Sequence, residues 1–357
     1  MRPAEALQNN RVRAPERSRE FRFPVGSSKL FGAVSIYGRL GQVVVMILLK
    51  TYLRRRPMQA AIRIAFAAVL ILGFAGTASP QLGMFSNEQR IVLTREWKGE
   101  RFPDGRPKVP DAVLEGLKDV DAEEAWGVLQ SHGYNYQFEG GWHEINPGGR
   151  MVGRVFTAVF MPLRPDVNAV INDKGKEEGR VGAQNSWPID MLSPGDVLVV
   201  DLFGKIKDGT YAGDNLSTAI FAKSHNGLVV DGSVRDETGI SDITGMHVFV
   251  RGVDPSALRD VTLMGINVPI RIGQVTVMPG DVAVSDPEGI TFIPPQIAQD
   301  VIDKAQMTHA VDEWGHTMLR EGRYTPGQID RKWTKSMIEE FNKWLQQKGL
   351  QLHMPEE

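Results

Sequence analysis

The sequence predicts a mixed α/β chain, and three observations carry that reading. Val-rich runs of strand length recur between residues 151 and 293. Apolar residues at helical spacing stand on either side of them, and Pro-Gly or Asn-Gly pairs punctuate the joins. With 357 residues, 42% hydrophobic and 24% charged, the chain has the composition of one large or two modest globular domains. The net charge of −2 conceals an asymmetry. Residues 1–63 carry 13 Lys and Arg against Glu5, Glu16 and Glu20, a local +10, so the remainder sums to −12. An acidic body argues against nucleic acid as a partner. With no cysteine, disulfides, Cys-ligated zinc and a thiol nucleophile are excluded.

In chain order, residues 1–57 form a basic segment, and Met46 or Met58 is an alternative start. Arg54-Arg55-Arg56 leads into the uncharged apolar run Ile64–Gly76 and the small residues Ala75–Ser79, a secretory signal over 58–78 with cleavage after Ala78. The run is shorter than the roughly 18 to 20 residues that span a bilayer. A periplasmic or secreted product is expected, with an uncleaved membrane anchor as the alternative. Residues 79–109, broken by Pro103 and Pro107, read as an N-terminal extension over the domain surface. Val113, Leu114, Leu117, Ala125, Trp126 and Leu129 then give two short helices, Asp121 capping the second and Gly133 ending it. Met151–Met161 reads as a strand and Asp166–Trp187 as an exposed helix or loop. Ser193-Pro194-Gly195-Asp196-Val197 and Met278-Pro279-Gly280-Asp281-Val282 echo each other. They predict two similar hairpin corners in which Asp196 and Asp281 act as turn acceptors.

Tyr211–Asp236 is the stretch that carries chemistry. Asp214-Asn215 opens a helix, both being N-cap types, and Asn226-Gly227 stops it. Leu228-Val229-Val230 is a buried strand, Asp231-Gly232 a turn, and Arg235-Asp236 follows at once. This order brings a helix N-terminus, two carboxylates and a guanidinium to one end of a strand. The helix start favours an anion, paired carboxylates a hard divalent cation, and arginine a carboxylate or enolate oxygen. Further strands are expected over His247–Val253, Val268–Ile272 and Ile290–Ile293. Helices follow from about Gln296 to Leu319 and from Lys332 to Gln347. His309 and His316 share a helix face without metal-motif context, and Lys205, Lys207 and Lys223 carry no mark of a Schiff base. Dinucleotide, Walker, serine-hydrolase and S-adenosylmethionine signatures are absent.

Gly213-Asp214, twenty residues, then Arg235-Asp236 fits the Gly-(Asp/Glu)-x20-Arg-(Asp/Glu) signature of the RraA-like family. PGDVLVVD, AGDNL, GLVVDGSVRD, VFVRGV and INVPIRIGQVTVMPGDVAVSD resemble its blocks in order, over about Pro110–Asp330. That family holds divalent-metal 4-hydroxy-4-methyl-2-oxoglutarate (4-carboxy-4-hydroxy-2-oxoadipate) aldolases and the regulators of ribonuclease activity. The resemblance implies a layered α/β domain (110–330) with a central β-sandwich, here with helical extensions, the C-terminal one at 331–357, and assembly as a homotrimer or hexamer. It implies Mg2+ or Mn2+ on Asp236, with Asp214 behind a metal-bound water. Arg235 would meet the pyruvate-like oxygens. The substrate carboxylate would sit on the amides around Asn215 and Leu216, beside Gly213. An acid from a neighbouring subunit assists in the aldolases, and Glu313 is the matching residue here, although Tyr324 departs from the acidic residue common after Gly322.

Such a site would polarise a small 2-oxo acid, cleave its C3–C4 bond and offset the charge of the pyruvate enolate. Oxaloacetate decarboxylation would accompany it. The competing readings are a non-catalytic regulator that docks on an RNA-degrading enzyme, and a related lyase or hydrolase on a periplasmic sugar acid or aromatic breakdown product.

Overall fold

Side-chain alternation in four Val-rich strands fixes the layers of this computed structural model, which describes residues 85–356. The leader segments, 1–57 and 58–78, lie outside the described residues. The four strands are β3 (Val152–Pro162), β4 (Asp196–Thr210), β5 (Leu228–Val234) and β6 (Val248–Val253). They run parallel, with Phe156 opposite Leu198, Leu198 opposite Leu228 and Leu228 opposite Val248. These residues and their i+2 neighbours face one core. Helices α5 (Ser186–Asp190), α6 (Asp214–Ser224) and α7 (Glu237–Ser241) cover it with Trp187, Ile189, Ile220 and Ile240.

The intervening residues, Val155, Val197, Val199, Val229 and Phe249, face a second core. Its far wall comes from β8 (Ile270–Ile272), β9 (Val275–Val277), β10 (Val282–Asp286) and β11 (Gly289–Ile293), so two β layers enclose it as a sandwich requires. The sheet has nine strands in the order β1-β11-β10-β3-β4-β5-β6-β2, with β7 (Val261–Ile266) also on β3. Its end strands, β1 (Phe138–Gly140) and β2 (His143–Ile145), are neighbours in sequence, so the sheet must curl until its ends meet. Arg251 of β6 secures that seam. It lies 3.8 Å over the Trp142 ring and donates to Gly140 O (2.8 Å), Glu139 (2.6 Å) and Asp231 (2.7 Å).

Helices α2 (Asp111–Gly116) and α3 (Ala122–Ser131) follow α1 (Asn87–Leu93) and close a third core with the first half of α8 (Ala298–Arg320). Asp121 caps the second helix as expected, in a capping box with Glu124. Asp166–Trp187 contains the exposed helix α4 (Pro165–Glu177). The C-terminal extension is helical. Trp314 and Met318 of α8 pack on Met337, Phe341 and Leu345 of α10 (Lys335–Lys348), after the short α9 (Pro326–Ile329).

Two local expectations are corrected. The echoed Pro-Gly segments do not form hairpins: β4 is parallel to β3, reached through α4 and α5, and Met278–Asp281 is a corner between two sheets. Both still start strands that flank β3, and both aspartates are turn acceptors, from Ser193 N (2.9 Å) and Met278 N (2.8 Å). Asp231-Gly232 is not a turn but the middle of β5. Its glycine is required by space, since a Cβ there would stand 2.8 Å from the Leu202 side chain.

Candidate active site at the α6 N-terminus

Three element ends meet at one corner: the C-terminal end of β5, the N-terminus of α7 and the N-terminus of α6. Ala212 O accepts from Arg235 N at 3.0 Å, which lashes the entry of α6 to the exit of β5. The N-cap of α6 is Gly213, one residue earlier than expected, and Asp214 is the first helical residue. A side chain at this position would have to push both neighbours aside. A Cβ on Gly213 would lie 2.5 Å from Asp236 Oδ2 and 3.0 Å from Arg235 Nε. The backbone of Gly213 is extended (φ −113°), so proximity rather than conformation calls for glycine.

Asp236 adopts a left-handed backbone, φ 57°, at the N-cap of α7, a conformation open to Asp at some cost. An N-cap Asp usually accepts from its own helix. This one makes no such bond, and its carboxylate instead accepts from Arg235 Nε at 3.2 Å. Arg235 makes no other side-chain bond among the described residues, leaving both terminal nitrogens available. About half of the side-chain surface of each is open to solvent, 43% for Arg235 and 51% for Asp236.

Asp214 is backed by α7, where a Cβ on Gly239 would stand 2.8 Å from its Cβ and 3.3 Å from its Oδ2. Its Oδ1 accepts from Asn215 N at 2.7 Å. That bond bears on the expected carboxylate seat. The first helical bond comes from Ser217 N to Gly213 O, so the amides of 214–216 lack a helical partner. Asn215 N is already engaged by Asp214, and a substrate carboxylate must compete for it. Two carboxylates with no sulfur ligand fit a hard divalent cation that keeps part of its water shell.

Gly213, Asp214, Arg235 and Asp236 are therefore brought together, with Asn215 and Leu216 in the adjoining turn. Glu313 is not joined to them within one chain. It lies mid-way along α8 and accepts from Lys348 Nζ at 2.6 Å. A second group of ligand types stands elsewhere: Asp121, Glu124 and His309. Each already has a protein partner. Asp121 pairs with Arg150, while Glu124 accepts from Asp121 N (2.9 Å) and meets His309 Nε2 (2.9 Å).

Sequence reasoning missed the supports. Gly239 carries no motif, and Asn185, whose Nδ2 donates to Tyr211 O at 2.7 Å, lies in a stretch read only as exposed and polar. The histidines proved to be paired across sequence, His132 with Asp300 (2.6 Å) and His143 with Glu237 (2.7 Å).

The family model described as RraA-like, Aldolase/RraA, matches residues 108–292. A Halalkalibacterium halodurans protein provisionally named a 4-hydroxy-4-methyl-2-oxoglutarate aldolase is 37% identical over 121 residues, 34% of this chain and 57% of its own. Protein DlpA of Legionella pneumophila is 30% identical over 214 residues, 59% of this chain and 32% of its own. The matches thus span less than two thirds of either relative. Among solved structures, Streptomyces coelicolor RraAS2, titled an unusual member of the RNase ES inhibitor RraA family, superposes with a TM-score of 0.50 at 26% identity. That match covers 59% of this chain and 98% of RraAS2. A Pseudomonas syringae protein of the same fold gives 0.50 at 24% identity, over 63% of this chain and all of its own.

Proposed function

Since the chain belongs to the RraA-like family, we propose that it is a divalent-metal-dependent lyase. It cleaves a 4-hydroxy-2-oxo acid by retro-aldol chemistry to pyruvate and a second carbonyl compound, and decarboxylates oxaloacetate as a side activity. The observation that carries this reading is the packing of Gly213 against Asp236 and Arg235, which sets Asp214 and the first turn of α6 beside them. The name of the Halalkalibacterium halodurans relative supports a lyase.

Asp236 and Asp214 would hold Mg2+ or Mn2+, since Asp236 makes no cap bond and Asp214 engages only its Oδ1, with Asn215 N. When bound, the ion supplies Lewis acidity to the 2-oxo carboxylate. The rest falls to the chain. The first-turn amides of α6 at Asn215 and Leu216, with the positive end of the helix behind them, seat the substrate carboxylate. A water held by Asp214 takes the C4 hydroxyl proton as the C3–C4 bond breaks, C4 becoming the second carbonyl. The electron pair passes to the three-carbon fragment as an enolate, and return of a proton to C3 gives pyruvate. The free nitrogens of Arg235 offset that charge where it develops. In a homotrimer or hexamer, Glu313 of a second copy would assist, after release from Lys348. Export through the 58–78 signal would place the enzyme in the periplasm or outside the cell.

A non-catalytic binding protein is the second reading, supported by the likeness to RraAS2. One experiment separates the two: purified protein with Mg2+, a panel of 4-hydroxy-2-oxo acids and oxaloacetate, and pyruvate release as the signal. We expect turnover that a chelator abolishes and that Asp236→Ala or Arg235→Ala lowers by about 100-fold or more, the loss typical of a transition-state charge partner. Turnover that survives both substitutions refutes the site. Cation binding without turnover on any compound favours the binding role.

A further inference from the structure

Asn185 stands at the N-cap of α5, where an Asn side chain ordinarily accepts from the first turn of its own helix. It makes no such bond. Its Nδ2 donates instead to Tyr211 O at 2.7 Å, and the Tyr211 hydroxyl donates back to Asn185 O at 2.9 Å. Tyr211 is fully buried, edge-on to Phe160 with 6.0 Å between ring centroids. Burial pushes its phenol pKa well above the usual value, so the hydroxyl stays a donor. On the opposite flank Tyr211 N donates to Ser233 O (2.9 Å), and Ala212 O accepts from Arg235 N. The two residues before Gly213 are thus held from two sides. One is β5, which leads into Arg235 and Asp236. The other is Asn185, at the N-cap of α5, which makes no hydrogen bond to a site residue among the described residues.

Building on the 2-oxo acid reading, we propose that Asn185 is a positioning residue: through Tyr211 it sets the Gly213–Asp214 end of α6 against Asp236. Asp236 stands at the junction of β5 and α7, and Asn185 makes no hydrogen bond to either element. Loss of the clamp therefore separates two functions of one site. Cation binding keeps Asp236, and Asp214 keeps its backing from Gly239 of α7, so it falls only slightly, while the grip on the carboxylate, which depends on the first-turn amides of α6, weakens more. A side chain that merely stabilised the fold would lower both together with thermal stability.

The test is titration calorimetry on the full chain with Mn2+, and with oxalate in saturating Mg2+, for wild type, Asn185→Ala and Asn185→Asp, alongside thermal midpoints. Oxalate stands in for the planar enolate product. Because a misplacement of about 1 Å costs a positioned reaction up to about 100-fold, we expect Asn185→Ala to weaken oxalate by at least about tenfold while Mn2+ affinity falls by no more than about threefold. Asn185→Asp has the same shape but no donor, so it is equally weak at pH 7.5. It closes the gap with wild type towards pH 5, as the introduced carboxyl gains a proton to donate to Tyr211 O. Unchanged oxalate affinity in both variants overturns the proposal, as does a parallel fall of both affinities and the midpoint. Wild-type protein that binds neither probe defeats the 2-oxo acid reading itself, and the positioning role with it. Wild type binding both, with unaltered variants, defeats the positioning role alone.

Discussion

Gly213, Asp214, Arg235 and Asp236 were readable from the sequence because their spacing is rigid: one helix and one strand fit the twenty residues between the two pairs. What each carboxylate does was less readable. Position within a turn decides whether an acid caps a helix, and the N-cap proved to be Gly213, which leaves Asp214 free to take Asn215 N. Burial is likewise invisible in a lone aspartate. Asp281, a turn acceptor by sequence, is also fully buried, and that burial pushes its carboxyl up to about 8. In the unfolded chain an aspartate releases its proton near pH 4. Between about 4 and 8 the native state therefore binds a proton that the unfolded state does not, and stability falls as pH rises through that window. Asp281→Asn keeps an oxygen for Met278 N and removes the titration. Its denaturation midpoint should match wild type near pH 5 and exceed it near pH 8. A wild-type profile that is flat across the window, or an identical slope in the variant, would contradict this.

Among the elements, strands with clean alternation were legible, and those that depend on distant partners were not. β1 and β2 have three residues each and exist because β11 and β6 offer them edges. Asp231-Gly232 imitates a hairpin signal, yet Leu202 and Lys205 crowd it from the neighbouring strand and keep β5 straight through. The N-terminal extension gave no hint of its anchor. Arg106, 1% exposed, donates to both oxygens of the buried Asp196 (2.9 and 3.2 Å) and to Asp104 (2.8 Å), between the rings of Phe102 and Phe156. That bidentate pair ties the extension to the start of β4. Removing one member of a buried pair strands the other charge, so Arg106→Ala should cost about 3–5 kcal/mol in chemical denaturation. A loss below about 1 kcal/mol, the size of an exposed pair, would show that Asp196 does not depend on it.

For the molecule as a whole, the sequence conveyed a family domain with added helices, and the nine-stranded sheet and the α8–α10 pair agree with that. A single chain leaves Arg235 and Asp236 half open and keeps Glu313 on Lys348. If Glu313 serves the site of a second copy, Glu313→Gln and Asp236→Ala proteins, each weak alone, should recover part of the pyruvate release when unfolded and refolded together. No recovery in mixed oligomers would confine Glu313 to its own chain. The account rests on where the cation goes, and the described residues offer two candidate carboxylate groups. Mn2+ titration followed by electron paramagnetic resonance compares them directly. Asp236→Ala should weaken Mn2+ by at least about tenfold, the lower range for a lost ligand-sphere partner, while Asp121→Ala leaves it unchanged. Mn2+ affinity that falls with Asp121→Ala and not with Asp236→Ala would contradict the account.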